Sequence, residues 1–124
     1  MSQFKGEKIL VVEDNNISYK LIEAHLGRKN LQLIHAIDGH EAIEKFHSNP
    51  DIELVLMDIQ LPSISGIEVT REIRKTNQVI PIVATTANVF DEDRIACEEA
   101  GCSHFVSKPI NFPDLLGILK QYLQ

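Results

Sequence analysis

The sequence predicts an α/β fold in which five parallel strands alternate with five helices in one domain. Short apolar segments alternate with amphipathic segments along all 124 residues. The apolar segments are continuous rather than alternating with polar residues, which is typical of strands covered on both faces. No repeat, low-complexity tract or linker divides the chain. We therefore expect one three-layer domain over residues 1–124, with helices on both faces of the sheet.

Hydrophobic periodicity and turn residues set the predicted elements in the first half of the chain. The predicted strands are 8–13, 31–36 and 54–57, and the predicted helices are 17–26 and 40–47. The apolar stripe of the first helix is expected to include Ile17 and Leu21. Asp38 and Gly39 are expected to form a turn, and Pro50 ends the second helix.

The second half continues the same alternation. The predicted helices begin at Ser65-Gly66, at residue 91 and at residue 111, and the predicted strands are 80–85 and 104–107. Right-handed crossovers then favour a flavodoxin-like strand order of 2-1-3-4-5. In such sheets the active site lies beyond the carboxyl ends of the strands, where the strand order reverses. The residues that end strands one, three, four and five are therefore the ones to consider for function.

Composition excludes several classes of function. The net charge is −6 and no basic run is present, so direct binding of nucleic acid is not expected. No signal segment and no apolar stretch of about 20 residues occurs, which favours a cytoplasmic protein without membrane contact. Cys97 and Cys102 have no further Cys or His pair at ligand spacing, so we expect free, buried or half-buried thiols rather than a zinc site.

Acids, hydroxyls and a lysine occupy the ends of predicted strands one, three, four and five. They are Glu13, Asp14, Asp58, Thr85, Thr86 and Lys108. Taken singly, each has an ordinary structural interpretation, such as helix capping or a turn. Taken together, they concentrate negative charge, because two carboxylates about 5 Å apart repel by roughly 3 kcal/mol at an effective dielectric of 20. One lysine does not offset three acids, and Mg²⁺ suits a site with few carboxylates and several waters.

The same set of groups suits phosphoryl transfer. A carboxylate such as Asp58 can act as the nucleophile and form an acyl phosphate. A threonine hydroxyl and the Lys108 ammonium can contact the phosphoryl oxygens while a cation neutralises their charge. This chemistry depends on positioning and charge and needs no general base.

Four segments of the chain, in order and at matching spacing, resemble the receiver domains of two-component response regulators. They are 11–16, 56–62 with Gly66, 84–87 and 107–109. The resemblance implies that Asp58 is the phosphoacceptor and that Glu13, Asp14, Asp58 and the backbone carbonyl of Gln60 bind the metal. It also implies that Thr86 and Lys108 contact the phosphoryl group. Thr85 is the competing hydroxyl; strand alternation points it away from Thr86, and the resemblance selects Thr86.

The resemblance further implies how the phosphoryl group would be sensed. Thr86 and Phe105 would be the switch residues, and the Lys108-Pro109 peptide would be cis. Glu13 and Ser65 stand where many members of the family have Asp, and neither departure removes a metal ligand or a helix cap. Gln60 and Asn88 occupy positions that tune the dephosphorylation rate in the family.

The implied function is a signalling switch rather than an enzyme. A histidine kinase or a histidine phosphotransfer protein would donate the phosphoryl group with Mg²⁺, or alternatively Mn²⁺, bound. A downstream protein target would read the surface of the fourth helix, fifth strand and fifth helix, with the chain as a monomer or a phosphorylation-dependent dimer. Met1 and the short polar segment after it favour a stand-alone regulator over a receiver cut from a larger protein.

Two other functions fit parts of the sequence but lack residues that they need. A magnesium-dependent phosphohydrolase using an aspartyl phosphate would need an acid or base two residues after Asp58, where Gln60 stands. A flavodoxin-like cofactor binder would need a Ser/Thr/Gly-rich phosphate loop after the first strand, where acids stand instead.

Overall fold

The computed structural model describes residues 4–87 and 91–124, which form a single five-stranded parallel sheet. The strands are β1 Lys8–Val12, β2 Gln32–Ala36, β3 Ile52–Asp58, β4 Ile82–Thr86 and β5 His104–Ser107. The helices are α1 Asn16–Leu26, α2 Gly39–Ser48, α3 Gly66–Thr76, α4 Asp91–Ala100 and α5 Phe112–Leu123, and a 3₁₀ turn at Gly27–Lys29 follows α1. The sheet order is β2-β1-β3-β4-β5, so the predicted fold class and strand order are confirmed.

Helices cover both faces of the sheet because successive strand residues point to opposite faces. Ile9 and Val11 of β1 belong to one core cluster, and Leu10 and Val12 belong to another. The first cluster contains buried residues of α1 and α5, namely Ile22, Leu26, Leu115 and Leu119. The second contains buried residues of α2 and α3, namely Ala42, Phe46, Val69 and Ile73. This division produces the three predicted layers.

Side-chain caps define where four of the helices begin. Asn15, Asp38, Ser65 and Asn111 each accept a hydrogen bond from the backbone N–H three residues later. Such caps satisfy donors that have no partner inside the helix. The expected turn at Asp38-Gly39 is therefore wrong in detail, since Asp38 is the N-cap and Gly39 is the first residue of α2.

Two further expectations about the elements need correction. Ile17 and Leu21 of α1 are 74% and 53% exposed, and Ile22 and Leu26 are the buried residues of that helix. Strand β3 begins earlier than predicted because Ile52 pairs with Lys8 of β1.

Other sequence predictions agree with the fold. Gly101 has a φ of 110° directly after α4, the left-handed conformation that is common in a glycine that follows a helix. Cys97 is buried and Cys102 half-buried, both as free thiols, as predicted. Among residues 4–87 and 91–124, no helix combines the length and apolarity needed to cross a membrane.

Candidate functional site

The parallel register aligns the ends of β1, β3, β4 and β5 at one edge of the sheet. Val12 pairs with Met57, so Glu13 follows β1 beside Asp58 at the end of β3. Asp58 pairs with Thr85, and Thr86 pairs with Ser107, the residue before Lys108. Residues that are distant in sequence therefore meet because the carboxyl ends of parallel strands share an edge.

Three carboxylates converge at this edge. One oxygen each from Glu13, Asp14 and Asp58 lies within 4.8 Å of the others. Glu13 and Asp58 are only 2% and 3% exposed, whereas Asp14 is exposed. The β1–α1 loop fixes Glu13 further, because the backbone N–H of Asn15 donates to Glu13 Oε2 over 3.1 Å. The structure thus brings together all three acids that the sequence placed at the strand ends.

Lys108 supplies a positive charge to two of the three carboxylates. Its Nζ lies 3.0 Å from Glu13 Oε1 and 3.1 Å from Asp58 Oδ2. Burial disfavours the charged amine, but hydrogen bonds and the negative charges of Glu13 and Asp58 outweigh this and raise the pKa of Lys108. The backbone N–H of Lys108 donates to the carbonyl of Thr86 over 2.7 Å. The Lys108-Pro109 peptide is cis, as predicted.

Asp58 is held in an environment that disfavours its charge. Burial raises the pKa of Asp58 to about 6, the Glu13 charge adds to this, and the Gln60 N–H and Lys108 oppose it. The Gln60 N–H donates to Asp58 Oδ1 over 2.9 Å. A single ammonium group therefore does not compensate the carboxylates at this edge.

The donor set fits a hard divalent cation. All three converging side chains offer carboxylate oxygens, which Mg²⁺ prefers, and the exposed Asp14 leaves one side open to water. The two cysteines, which are softer ligands, take no part in this site. Cys97 belongs to a hydrophobic cluster with Ile59 and Ala84, and Cys102 packs against that cluster.

The remaining predicted residues surround the acids. Thr86 is fully buried at the end of β4, one residue beyond the strand partner of Asp58, and Thr85 is also buried. Phe105 of β5 is half-buried, pairs with Ala84 and packs against the same cluster as Ile59. Their switch roles remain predictions, as does the Gln60 carbonyl as a ligand. Asn88 lies outside the described residues.

Gly66 packs against the backbone of Asp58, a contact that its predicted place at the start of a helix did not indicate. A Cβ at Gly66 would lie 2.3 Å from the carbonyl oxygen of Asp58 and 2.8 Å from Ile59 Cα. The Gly66 N–H also donates to the Ile59 carbonyl over 2.9 Å. Close packing of the start of α3 on the end of β3 therefore requires a glycine. In the sequence, the signal for this close packing was a glycine directly after the helix cap Ser65.

Two curated relatives resemble the chain over most of its length. It is 34% identical over 122 residues to hybrid signal transduction histidine kinase L of Dictyostelium discoideum, covering 93% of this chain but only 7% of that kinase. It is 34% identical over 120 residues to the polar-differentiation response regulator DivK of Brucella anthropi, covering 94% of this chain and 96% of DivK.

Two solved structures have the same fold. The receiver domain of sensor histidine kinase PA1611 from Pseudomonas aeruginosa, with magnesium coordinated in its active site cleft, is 34% identical with a TM-score of 0.88, covering 95% of this chain and 98% of that domain. The receiver domain of Ssk1, co-crystallised with the histidine phosphotransfer protein Ypd1 of Saccharomyces cerevisiae, is 27% identical with a TM-score of 0.88, covering 97% of this chain and 90% of that structure's chain.

The family match extends across the sheet and the acidic edge. Residues 9–120 match the response regulator receiver domain family, a range that includes Glu13, Asp58 and Lys108. The chain therefore belongs to the response regulator receiver domain family and is a receiver domain of two-component signalling.

Proposed function

We propose that Asp58 is the phosphoacceptor of this receiver domain. The observation that carries the proposal is the convergence of the Glu13, Asp14 and Asp58 carboxylates, two of which, Glu13 and Asp58, contact the ammonium of Lys108. A buried carboxylate beside a lysine can attack an electrophilic phosphorus, and the surrounding positive groups can offset the charge of the transferred group.

In this proposal a carboxylate oxygen of Asp58 forms a bond to phosphorus as the bond between phosphorus and the donor's imidazole nitrogen breaks. The product is an acyl phosphate on Asp58, and the imidazole leaves with the bonding electron pair. The Lys108 ammonium, already 3.1 Å from Asp58, is placed to exchange this contact for a phosphoryl oxygen. Thr86, at the adjacent strand end, would donate its hydroxyl to another phosphoryl oxygen.

The carboxylates of Glu13, Asp14 and Asp58 and the backbone carbonyl of Gln60 would hold the cation. Bound Mg²⁺ would neutralise phosphoryl oxygens and help align the donor with Asp58. The oxygen-only donor set supports Mg²⁺ over softer metals, with Mn²⁺ as the alternative. The magnesium coordinated in the PA1611 receiver supports the same assignment.

The phosphodonor would be a histidine kinase or a histidine phosphotransfer protein acting in the cytoplasm. A groove of about 200 Å³ beside the site is lined by Glu13, Lys108, Leu21 and Pro109 among others. The exposed side chains of Ile17 and Leu21 lie one helical turn apart on α1. This apolar surface next to the acids would dock the phosphorylated histidine protein. The co-crystal of the Ssk1 receiver domain with Ypd1 supports a partner of that class.

The output would be a change in the surface formed by α4, β5 and α5. Thr86 and Phe105 would couple the phosphoryl group to that surface, where a downstream protein binds or a second copy of the domain forms a dimer. Residues 1–124 would act as one phosphoacceptor domain that promotes only its own phosphorylation and dephosphorylation, whether alone or within a longer protein.

Incubation with acetyl phosphate and Mg²⁺ tests the proposal directly. Intact mass should show one added phosphoryl group on the wild type and none on Asp58→Asn, and chelation of Mg²⁺ should suppress the labelling. Undiminished labelling of D58N would contradict the assignment of Asp58. Steady turnover of many small phosphate esters by the wild type would instead favour the phosphohydrolase.

A further inference from the structure

His35 holds the backbone of Glu13 from the neighbouring strand. Its Nε2 lies 2.7 Å from the Glu13 carbonyl oxygen. A carbonyl oxygen only accepts hydrogen bonds, so Nε2 must carry the proton and donate. The Glu13 N–H in turn donates to the Ala36 carbonyl over 3.0 Å. Both backbone hydrogen-bonding groups of Glu13 are therefore bound to the end of β2.

The imidazole ring of His35 is itself fixed in place. The Tyr19 ring of α1 stacks on it with a centroid separation of 3.6 Å and an interplanar angle of 3°. The Lys45 ammonium of α2 donates to the His35 carbonyl. Contacts from α1 and α2 thus restrict both the ring and the backbone of the residue that holds Glu13.

The Glu13 carbonyl belongs to the peptide unit that joins Glu13 to Asp14. Because a peptide unit is planar, holding the direction of its C=O bond also restricts the direction in which the chain enters Asp14. The Glu13 carboxylate has additional restraints from Asn15 and Lys108. Asp14 is exposed. Of the contacts described above, the one that holds the Glu13–Asp14 peptide does most to restrict where the Asp14 carboxylate lies.

We propose that His35 is a positioning residue for the cation site, acting through the Glu13–Asp14 peptide. The inference rests on the proposed function, because it assumes that Glu13 and Asp14 bind the cation. Groups that orient metal ligands without touching the metal typically change metal affinity by roughly 10–100-fold when removed. His35 stands on the edge strand and contributes no ligand atom to the acidic cluster.

Two substitutions separate the hydrogen bond from the ring stacking. His35→Phe keeps a ring for Tyr19 but removes the N–H, and His35→Gln keeps an amide N–H but removes the ring. The Mg²⁺ dissociation constant would be measured from backbone amide chemical shifts, alongside the melting temperature without metal. We expect H35F to bind Mg²⁺ about 10-fold more weakly and H35Q to remain within about 3-fold of the wild type.

The outcomes distinguish this inference from a purely structural role and from the proposed function. Equal Mg²⁺ affinity in H35F and the wild type would overturn the inference, even if H35F melted lower. Equal weakening in H35F and H35Q would also overturn it. Failure of the wild type to bind Mg²⁺ would overturn the proposed function and this inference with it. If H35F does not fold, His35→Asn, whose amide is too short to reach Glu13, replaces it in the comparison.

Discussion

The ammonium nitrogen of Lys108, at the end of β5, lies 3.1 Å from a carboxylate oxygen of Asp58, at the end of β3. Strand β4 lies between these two strands, and the residues are 50 positions apart in sequence. The same nitrogen lies 3.0 Å from Glu13. A single lysine therefore serves two buried carboxylates, and its removal leaves both without their cationic partner.

Lys108→Met should destabilise the metal-free protein and make it more responsive to Mg²⁺. Removing one partner of a buried ion pair typically lowers the free energy of unfolding by about 3–5 kcal/mol. Because Lys108 is partly exposed, its removal should cost less, about 2 kcal/mol. The loss corresponds to a drop in melting temperature of roughly 5–10 °C for a domain of this size. Thermal unfolding with and without Mg²⁺ would measure both effects, and Mg²⁺ should recover more stability in K108M than in the wild type.

Lys75→Met is the matched control, because Lys75 pairs with Glu72 on the exposed surface of α3. Solvent screens an exposed pair of this kind, so its removal should lower the melting temperature far less than removal of Lys108. A drop as large in K75M as in K108M would show that the buried carboxylates are not the cause.

Asp58→Asn should stabilise the metal-free protein at neutral pH. The pKa of Asp58 is about 6 in the fold, against an ordinary value of 3.8. The folded state therefore binds more protons than the unfolded state between these values, and stability falls as the pH rises through this window. Above pH 6 the ionised Asp58 costs up to about 3 kcal/mol, a cost that Asn does not have.

Melting curves in a chelator from pH 5 to 8 would check this pH dependence. The advantage of D58N over the wild type should be about 5 °C or more above pH 7 and should shrink as the pH falls below 6. Glu53→Gln, which removes the exposed carboxylate of the second residue of β3, is the control for loss of one negative charge outside the acidic edge. An advantage that does not change with pH would contradict a raised pKa of Asp58.

The sequence predicted the strand order and the acidic edge because both follow from local patterns. Four of the five apolar segments end at acids, hydroxyls or a lysine, and a parallel sheet aligns those ends. Other features depend on three-dimensional neighbours that no local pattern encodes. Ile17 and Leu21 fit a helical stripe, yet the core takes Ile22 instead. The hydrogen bond from His35 joins β2 to Glu13, the residue after β1. The sequence pattern did not distinguish His35 from the other four histidines.

Gly66→Ala should damage the site through the backbone of Asp58. The new Cβ would lie 2.3 Å from the Asp58 carbonyl oxygen, so the start of α3 must move away from the end of β3. Overpacking of this kind costs about 1–3 kcal/mol, and the clash with backbone places G66A at the upper end. Chemical denaturation would measure the loss, and slower labelling by acetyl phosphate should accompany it.

Gly117→Ala should have the opposite effect on stability in the same chemical denaturation experiment. Gly117 lies within α5, and apart from its chain neighbours and the nearby backbone of its own helix no described atom lies within 4 Å of an added Cβ. Replacing a helical glycine by alanine should stabilise the protein by about 0.5–1 kcal/mol. If G66A were as stable as the wild type, the close packing of Gly66 on Asp58 would not be required.

The exposed pair Ile17 and Leu21 should matter for transfer from a protein donor and not for transfer from a small molecule. Both side chains lie on α1, and Leu21 lines the groove that also contains Glu13 and Lys108. Loss of a central apolar anchor typically costs an interface about 2 kcal/mol. The double variant Ile17→Ser and Leu21→Ser should therefore accept phosphoryl groups at least about 10-fold more slowly from a phosphorylated histidine kinase that labels the wild type.

Acetyl phosphate should label this double variant at the wild-type rate, because the acids and Lys108 are unchanged. Val79→Ser is the control, since Val79 is exposed in the loop between α3 and β4, outside the groove. Radiolabel transfer at limiting donor would compare the three proteins. Equal slowing with both donors would show that the substitutions damage the phosphorylation site itself. If the double variant and the wild type accept phosphoryl groups from the kinase at equal rates, this surface takes no part in docking. Slowing confined to the protein donor is the result that a docking role of α1 requires, because only that donor needs a surface on which to bind.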